Sequence, residues 1–129
     1  MIVGIGIDIT EIGRLQKAVD KYGNRFLGKS FTEKEVASCH RGGDFYTNLA
    51  MVFAAKEAVV KAIGTGIREG IIWKDIEVTF NQGGMPVLCF YGKCEKVLRK
   101  LKANKQWIST SSTDRYAIAM VVLENTENF

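Results

Sequence analysis

Apolar residues alternate with small or acidic ones from the start of the chain. Val3, Ile5, Ile7 and Ile9 fall on one face of an extended segment and Ile2, Gly4, Gly6 and Asp8 on the other, which predicts a strand over Ile2–Ile9. Glycine weakens a strand interior, so two on one face mark a close approach by another backbone or by a ligand. Asp8 projects from that same open face near the strand's end; its plainer reading is a cap for the helix that follows. From Glu11 to Tyr22 the period becomes helical. Ile12, Leu15 and Val19 face inward, Arg14, Lys17 and Lys21 gather on the opposite side, Gly23 stops the helix and Arg25 lies just beyond it. At Phe31–Val36, Thr32 and Glu35 form a capping box and Phe31 and Val36 a hydrophobic staple. That helix runs to about His40, where it ends at Arg41-Gly42-Gly43-Asp44, and His40 sits near its terminal carbonyls.

The stretch Met51–Gly66 is the strongest helical pattern, rich in Ala, Met, Lys and Glu and stopped by Gly64. Leu49, Phe53 and Val60 make one narrow apolar stripe on it. Beyond it, Ile71–Phe80 and Met85–Tyr91 alternate as strands around an Asn81–Gly84 hairpin, with Pro86 at an edge or bulge. Lys93–Ala103 reads as a basic helix with Val97, Leu98 and Leu101 inward. Trp107–Ser111 and Tyr116–Leu123 form a last strand pair around Ser112–Arg115, and the polar tail Glu124–Phe129 frays. Helices and strands mix without a βαβ rhythm, so the fold class is α+β: one compact domain over residues 1–129, with antiparallel-type strands and a long central helix.

Composition narrows the function classes. With 129 residues, 47% hydrophobic and 25% charged, the chain suits a single globular core. A net charge of +4 is a mild bias that fits an acidic partner or a phosphate-rich ligand. No interleaved basic and aromatic stripe points to nucleic acid. The cysteines, Cys39, Cys89 and Cys94, form an odd set without CxxC spacing, and with His40 they make no zinc pattern. They read as reduced thiols in a cytoplasmic protein. The opening residues lack a basic leader and reach Asp8 too early for a signal peptide, and no apolar run has membrane-spanning length.

Two carboxylates carry the candidate chemistry. Glu57 lies beside the apolar stripe, where a charge is costly unless a cation, a metal or hydrogen bonds neutralise it. Its plainer reading is an i,i+4 surface pair with Lys61. Asp8 and Glu57, with room for water, suit a hard divalent cation such as magnesium, which binds through few protein ligands plus substrate phosphates. Lys61 lies one turn after Glu57 and can reach a phosphate oxygen, and the Gly64-Thr65-Gly66 loop offers backbone N–H groups to another. Together these describe metal-assisted attack on a diphosphate.

The chain resembles the holo-acyl-carrier-protein synthases, the short bacterial class of 4'-phosphopantetheinyl transferases. The resemblance is carried by Gly4-Ile5-Gly6-Ile7-Asp8-Ile9 with Glu11, Ile12 and Arg14, then by Arg25-Phe26 and Phe31–Glu35. It continues through Phe53-Ala54-Ala55-Lys56-Glu57, Lys61, Gly64–Gly66, Trp73–Val78, Gly84-Met85-Pro86 and Tyr116–Ala119. The resemblance implies transfer of phosphopantetheine from coenzyme A to a serine of apo acyl carrier protein, releasing adenosine 3',5'-bisphosphate, in fatty acid biosynthesis. It implies magnesium on Asp8 and Glu57, with Lys61 adding positive charge. The serine proton goes either to Asp8 directly or to a metal-bound water held by Glu57. Coenzyme A is expected at Lys61, Gly64, Thr65, Gly84, Pro86 and Ser111, and the carrier at Arg14, Lys17, Lys21 and Arg25. A homotrimer with active sites between subunits is implied as well.

Two departures stand out. Many members carry Arg before Phe-Ala-Ala-Lys-Glu, where this chain has Val52, and many read Ser-His where it has Ser111-Ser112. Both family positions lie near coenzyme A. Two other readings compete: a non-catalytic module that holds an acidic protein on its basic helix, and a metal-dependent hydrolase of a nucleoside diphosphate.

Overall fold

The computed structural model describes residues 1–64 and 70–127. Strand β1 spans Ile2–Glu11 and leads directly into helix α1, Ile12–Tyr22, then α2, Asn24–Ser30, α3, Glu33–His40, and α4, Phe45–Ile63. A short 3-10 turn, Trp73–Asp75, precedes the hairpin of β2, Ile76–Phe80, and β3, Pro86–Phe90. Helix α5, Gly92–Lys100, and the antiparallel pair β4, Lys105–Ser112, and β5, Tyr116–Glu124, complete the chain. The strands form an antiparallel sheet in the order β1-β5-β4 and a separate β2-β3 hairpin, so the α+β class holds.

Helix α4 is the axis of the core. Its start lies earlier than Met51, because Asp44 caps it: the Asp44 carboxylate accepts from the Thr47 N–H at 2.9 Å. Gly64 ends it in a left-handed conformation at φ 87. The predicted narrow stripe is too small a picture of its packing. Ala50, Val52, Ala54, Ala55, Ala58 and Val59 are all buried, while Phe53 and Val60 of the stripe are only partly so. The helix is enclosed on most sides, and small residues let its neighbours come close.

The close backbone approach expected at the β1 glycines is made by α4, so the face read as open at Asp8 is the covered one. The alternation of β1 is as predicted, but Gly4, Gly6 and Asp8 face α4, whereas Ile5, Ile7 and Ile9 are 61%, 58% and 59% exposed. Register places Ile7 against Met120 and Ile9 against Ile118 on β5. On the other side of β5, Trp107 lies against Val122. An apolar outer face therefore crosses all three strands.

Elsewhere the differences are local. Arg25 lies inside α2, a helix the pattern did not predict. The first residues of the predicted strand Ile71–Phe80 are taken up by the 3-10 turn, where the Asp75 carboxylate accepts from the Ile72 N–H at 3.2 Å. Leu101 is 36% exposed rather than inward, since α5 ends at Lys100. The capping box at Thr32 and Glu35 forms as expected.

Candidate active site

The site begins with the two glycines of β1. A Cβ on Gly6 would stand 1.8 Å from the Ala58 carbonyl oxygen, and one on Gly4 2.0 Å from that of Ala62. Only glycine lets the α4 backbone lie directly on the strand. Asp8 is the next residue on that face, so the same contact brings it to the edge of α4. Lys61 Nζ donates to Asp8 Oδ1 at 2.8 Å and to the Ile7 carbonyl at 3.1 Å. Thr10 Oγ1 donates to Asp8 Oδ2 at 3.3 Å. Both plainer readings fail here. Glu11, not Asp8, occupies the N-cap position of α1, and Lys61 pairs with Asp8 rather than with Glu57.

Asp8 and Glu57 line one cavity of about 410 Å³, together with Thr10, Arg14, Phe26 and Phe53. Glu57 is half-buried and makes no hydrogen bond or ion pair among the described residues. Burial first, and then the charge of Asp8, push its carboxyl above the usual range, with Lys61 opposing. Lys61 is pushed up, mainly by its hydrogen bond to Asp8. Among the described residues, this half-buried carboxylate, raised by burial and by a second carboxylate, has no cation paired with it. A hard divalent cation held by few protein oxygens fits that deficit. No cluster of three or more His, Cys, Asp or Glu occurs among the described residues, which is not the pattern of a structural zinc site.

The remaining predicted residues divide into groups. Arg14, Lys17 and Lys21 are exposed on α1 and Arg25 is exposed on α2, with Arg14 on the wall of the Asp8 cavity. Gly84, at φ 80 in the hairpin turn, and Ser111 at the end of β4 line a different cavity. Pro86 begins β3 opposite Phe80. Gly64 caps α4, while Thr65 and Gly66 lie outside the described residues. Within one chain the carboxylates and the Gly84–Ser111 group thus stand on separate cavities.

Sequence reasoning missed a buried pair next to the site. Lys56 Nζ lies 2.7 Å from Glu35 Oε1, with both side chains 0% exposed. Glu35 also accepts from the N–H groups of Thr32 and Val78, and Lys56 donates to the Trp73 carbonyl at 2.9 Å. The pair ties α3, β2 and the 3-10 turn to α4 beside Glu57. Its sequence signal was present: the capping-box glutamate and the lysine of Phe-Ala-Ala-Lys-Glu are its two ends.

Comparison with known proteins gives the family. A family model described as the 4'-phosphopantetheinyl transferase superfamily matches residues 4–121. The holo-[acyl-carrier-protein] synthase of Koribacter versatilis is 42% identical over 97% of this chain and 100% of its own length. That of Halothermothrix orenii is 44% identical over 96% of this chain and 98% of its own. Among solved structures, the Neisseria meningitidis synthase superposes with a TM-score of 0.86 at 33% identity, covering 96% of this chain and 99% of that one. A Bacillus anthracis synthase in complex with CoA (3',5'-ADP) gives 0.78 at 37% identity, covering 98% and 99%. With this likeness along almost its whole length, the chain belongs to the 4'-phosphopantetheinyl transferase superfamily, in the family of the holo-acyl-carrier-protein synthases.

Proposed function

We propose that Asp8, Glu57 and Lys61 form the reaction centre at which this transferase moves 4'-phosphopantetheine from coenzyme A to a serine of apo acyl carrier protein. The observation that carries this reading is the pairing across β1 and α4: two carboxylates on one cavity, with an ammonium on the first of them. Asp8 and Glu57 would hold magnesium, which when bound offsets negative charge on the coenzyme A diphosphate and on the leaving bisphosphate. Lys61 adds a further positive charge at the phosphate oxygens. The serine oxygen forms a bond to the β-phosphorus as the bond to the adenosine 3',5'-bisphosphate oxygen breaks. The serine proton leaves to Asp8 or to a water oriented by Glu57. The Gly64 turn, with Thr65, Gly84, Pro86 and Ser111, contacts coenzyme A, and Arg14, Lys17, Lys21 and Arg25 receive the acidic carrier.

The working unit is a homotrimer with active sites between subunits. Support comes from the exposed Ile5, Ile7, Ile9, Trp107 and Met120 on one sheet face, an apolar patch of the kind that marks an interface. Support also comes from the separation of the carboxylates from the Gly84–Ser111 cavity within one chain. We place the enzyme in the cytoplasm, on the carrier of fatty acid biosynthesis. All three cysteines are free thiols, and no described helix is long and apolar enough to cross a membrane.

The deciding experiment is intact mass spectrometry of an apo acyl carrier protein after incubation with the enzyme, magnesium and coenzyme A. A gain of one phosphopantetheine is expected, lost with EDTA and lost with a serine-to-alanine carrier. An unmodified carrier would refute the transfer, and hydrolysed coenzyme A alongside it would favour the hydrolase.

A further inference from the structure

Glu57 makes no hydrogen bond or ion pair among the described residues, so the direction of its carboxylate is that of the helix carrying it. On the strand side, the α4 backbone rests on Gly4 and Gly6. The Lys61 bond to Asp8 crosses there too, but it starts from a side chain 53% exposed, and a pair of that kind restrains little. The core around α4 is largely alanine and valine, which pack without fixing direction. Between Asn48 and Lys61, Lys56 is the one α4 side chain bonded to another element among the described residues.

Lys56 is held from every polar side. Its Nζ reaches Glu35 Oε1 and the Trp73 carbonyl and lies 5.5 Å from the centre of the Phe31 ring. Glu35 in turn is fixed by backbone, accepting from the Thr32 and Val78 N–H groups, both at 2.8 Å. A buried pair of this kind adds little stability over apolar side chains of the same shape. What it adds here is direction. Lys56 precedes Ala58 by two residues, about 200° around the helix, so the pair and the glycine seat hold α4 from opposite sides. A turn of about 10° at a radius of roughly 6 Å would shift a side chain by about 1 Å. Such a misplacement costs about a hundredfold in a positioned reaction.

We propose that the Glu35–Lys56 pair is a positioning device for the reaction: it fixes the rotation of α4 and so aims Glu57 at the cation shared with Asp8. The inference rests on the reaction centre proposed above. Lys56 and Glu35 touch no reacting atom in it; they act through Glu57, the next residue along the helix.

The test replaces both members at once, Glu35→Gln with Lys56→Met, because removing one alone strands a buried charge. Manganese binding to the free enzyme, read by electron paramagnetic resonance, reports on the carboxylates without the reaction. In the double variant the manganese Kd should rise about tenfold. Its kcat should fall about ten- to hundredfold while KM for coenzyme A stays near the wild-type value. An unchanged manganese Kd in the folded variant, or a loss confined to KM, overturns the assignment. Leu98→Ala, a core truncation in α5, measures lost stability alone; an equal rise in its manganese Kd also overturns the assignment. With Glu57→Gln already in place, the double change should weaken manganese no further, and additive losses would mean that the pair acts elsewhere. Glu35→Asp keeps both charges and withdraws one by a methylene. It should shift the manganese Kd the same way by less, and it decides by the same criteria should the double variant not fold. A wild type that modifies no carrier defeats the transferase reading on its own, and the manganese measurements still decide the pair. A wild type that binds no manganese overturns the assignment, since Glu57 then has no cation to meet.

Discussion

Lys61 crosses from α4 to β1 and places its ammonium 2.8 Å from the Asp8 carboxylate, leaving Glu57, four residues before it on its own helix, without a salt bridge among the described residues. The arrangement costs folding energy at Glu57: burial and the Asp8 charge raise its pKa, so the folded state disfavours the charged form. A group held at such a cost is a mark of function rather than of stability.

Glu57→Gln separates the two. The amide keeps the shape and removes the disfavoured charge, so the melting temperature should equal or exceed that of the wild type. Carrier modification should fall by about a hundredfold or more, the usual scale for losing one pre-set electrostatic partner. A variant that stays active with magnesium would remove Glu57 from the site.

Much of this was legible because it depends on short-range pattern. The period of β1 and α1, the Thr32–Glu35 capping box and the Gly64 stop are local features, and each appears where the sequence predicts it. The two glycines of β1 also announced a close backbone approach, which proved to be α4. What stayed hidden depends on partners far along the chain. The outer face of β1 reads as core from its isoleucines, yet Gly4 and Gly6 draw α4 to the other side. Glu35 was legible as a capping-box residue and Lys56 as part of a motif, but their pairing was not, because a buried ion pair leaves no periodic trace.

The glycine seat makes a contrast within one molecule. Gly6→Ala would drive a methyl into the Ala58 carbonyl, pushing α4 off the strand and moving Lys61 away from Asp8. It should destabilise by about 1–3 kcal/mol or more and reduce turnover by more than the folded fraction accounts for. Gly13, in α1, has nothing within 4 Å of an added Cβ. Gly13→Ala should stabilise by about 0.5–1 kcal/mol with activity unchanged. Urea denaturation with parallel assays checks both, and equal effects from the two would contradict the packing argument.

The exposed face of the sheet bears on assembly. Ile5 lies opposite Val122, which lies opposite Trp107, in one apolar row across the three strands. Ile5→Lys places a charge in that row without touching the α4 side of the strand. Sedimentation should show the proposed trimer replaced by a folded monomer near 14.4 kDa, and modification of the carrier should be lost if each site lies between two subunits as proposed. A monomer that retains full activity would show that one chain suffices.

The basic face of α1 is the surface proposed to receive the carrier. Arg14 is exposed, and it lines the same cavity as Asp8 and Glu57, so under the proposed docking a charge there would meet the acidic carrier next to the carboxylates. An exposed ion pair contributes up to about 1 kcal/mol, and Arg14→Glu turns attraction into repulsion, so KM for the carrier should rise about five- to tenfold. KM for coenzyme A should change less, since the Gly84–Ser111 group proposed to contact it lines a different cavity. The rise should shrink as salt is added, because exposed charges are screened over about 8 Å at physiological ionic strength. Steady-state kinetics at two salt concentrations measures all three quantities. A carrier KM that does not move would place the docking surface elsewhere, and one that moves equally with and without salt would mean that the substitution acts through shape rather than charge.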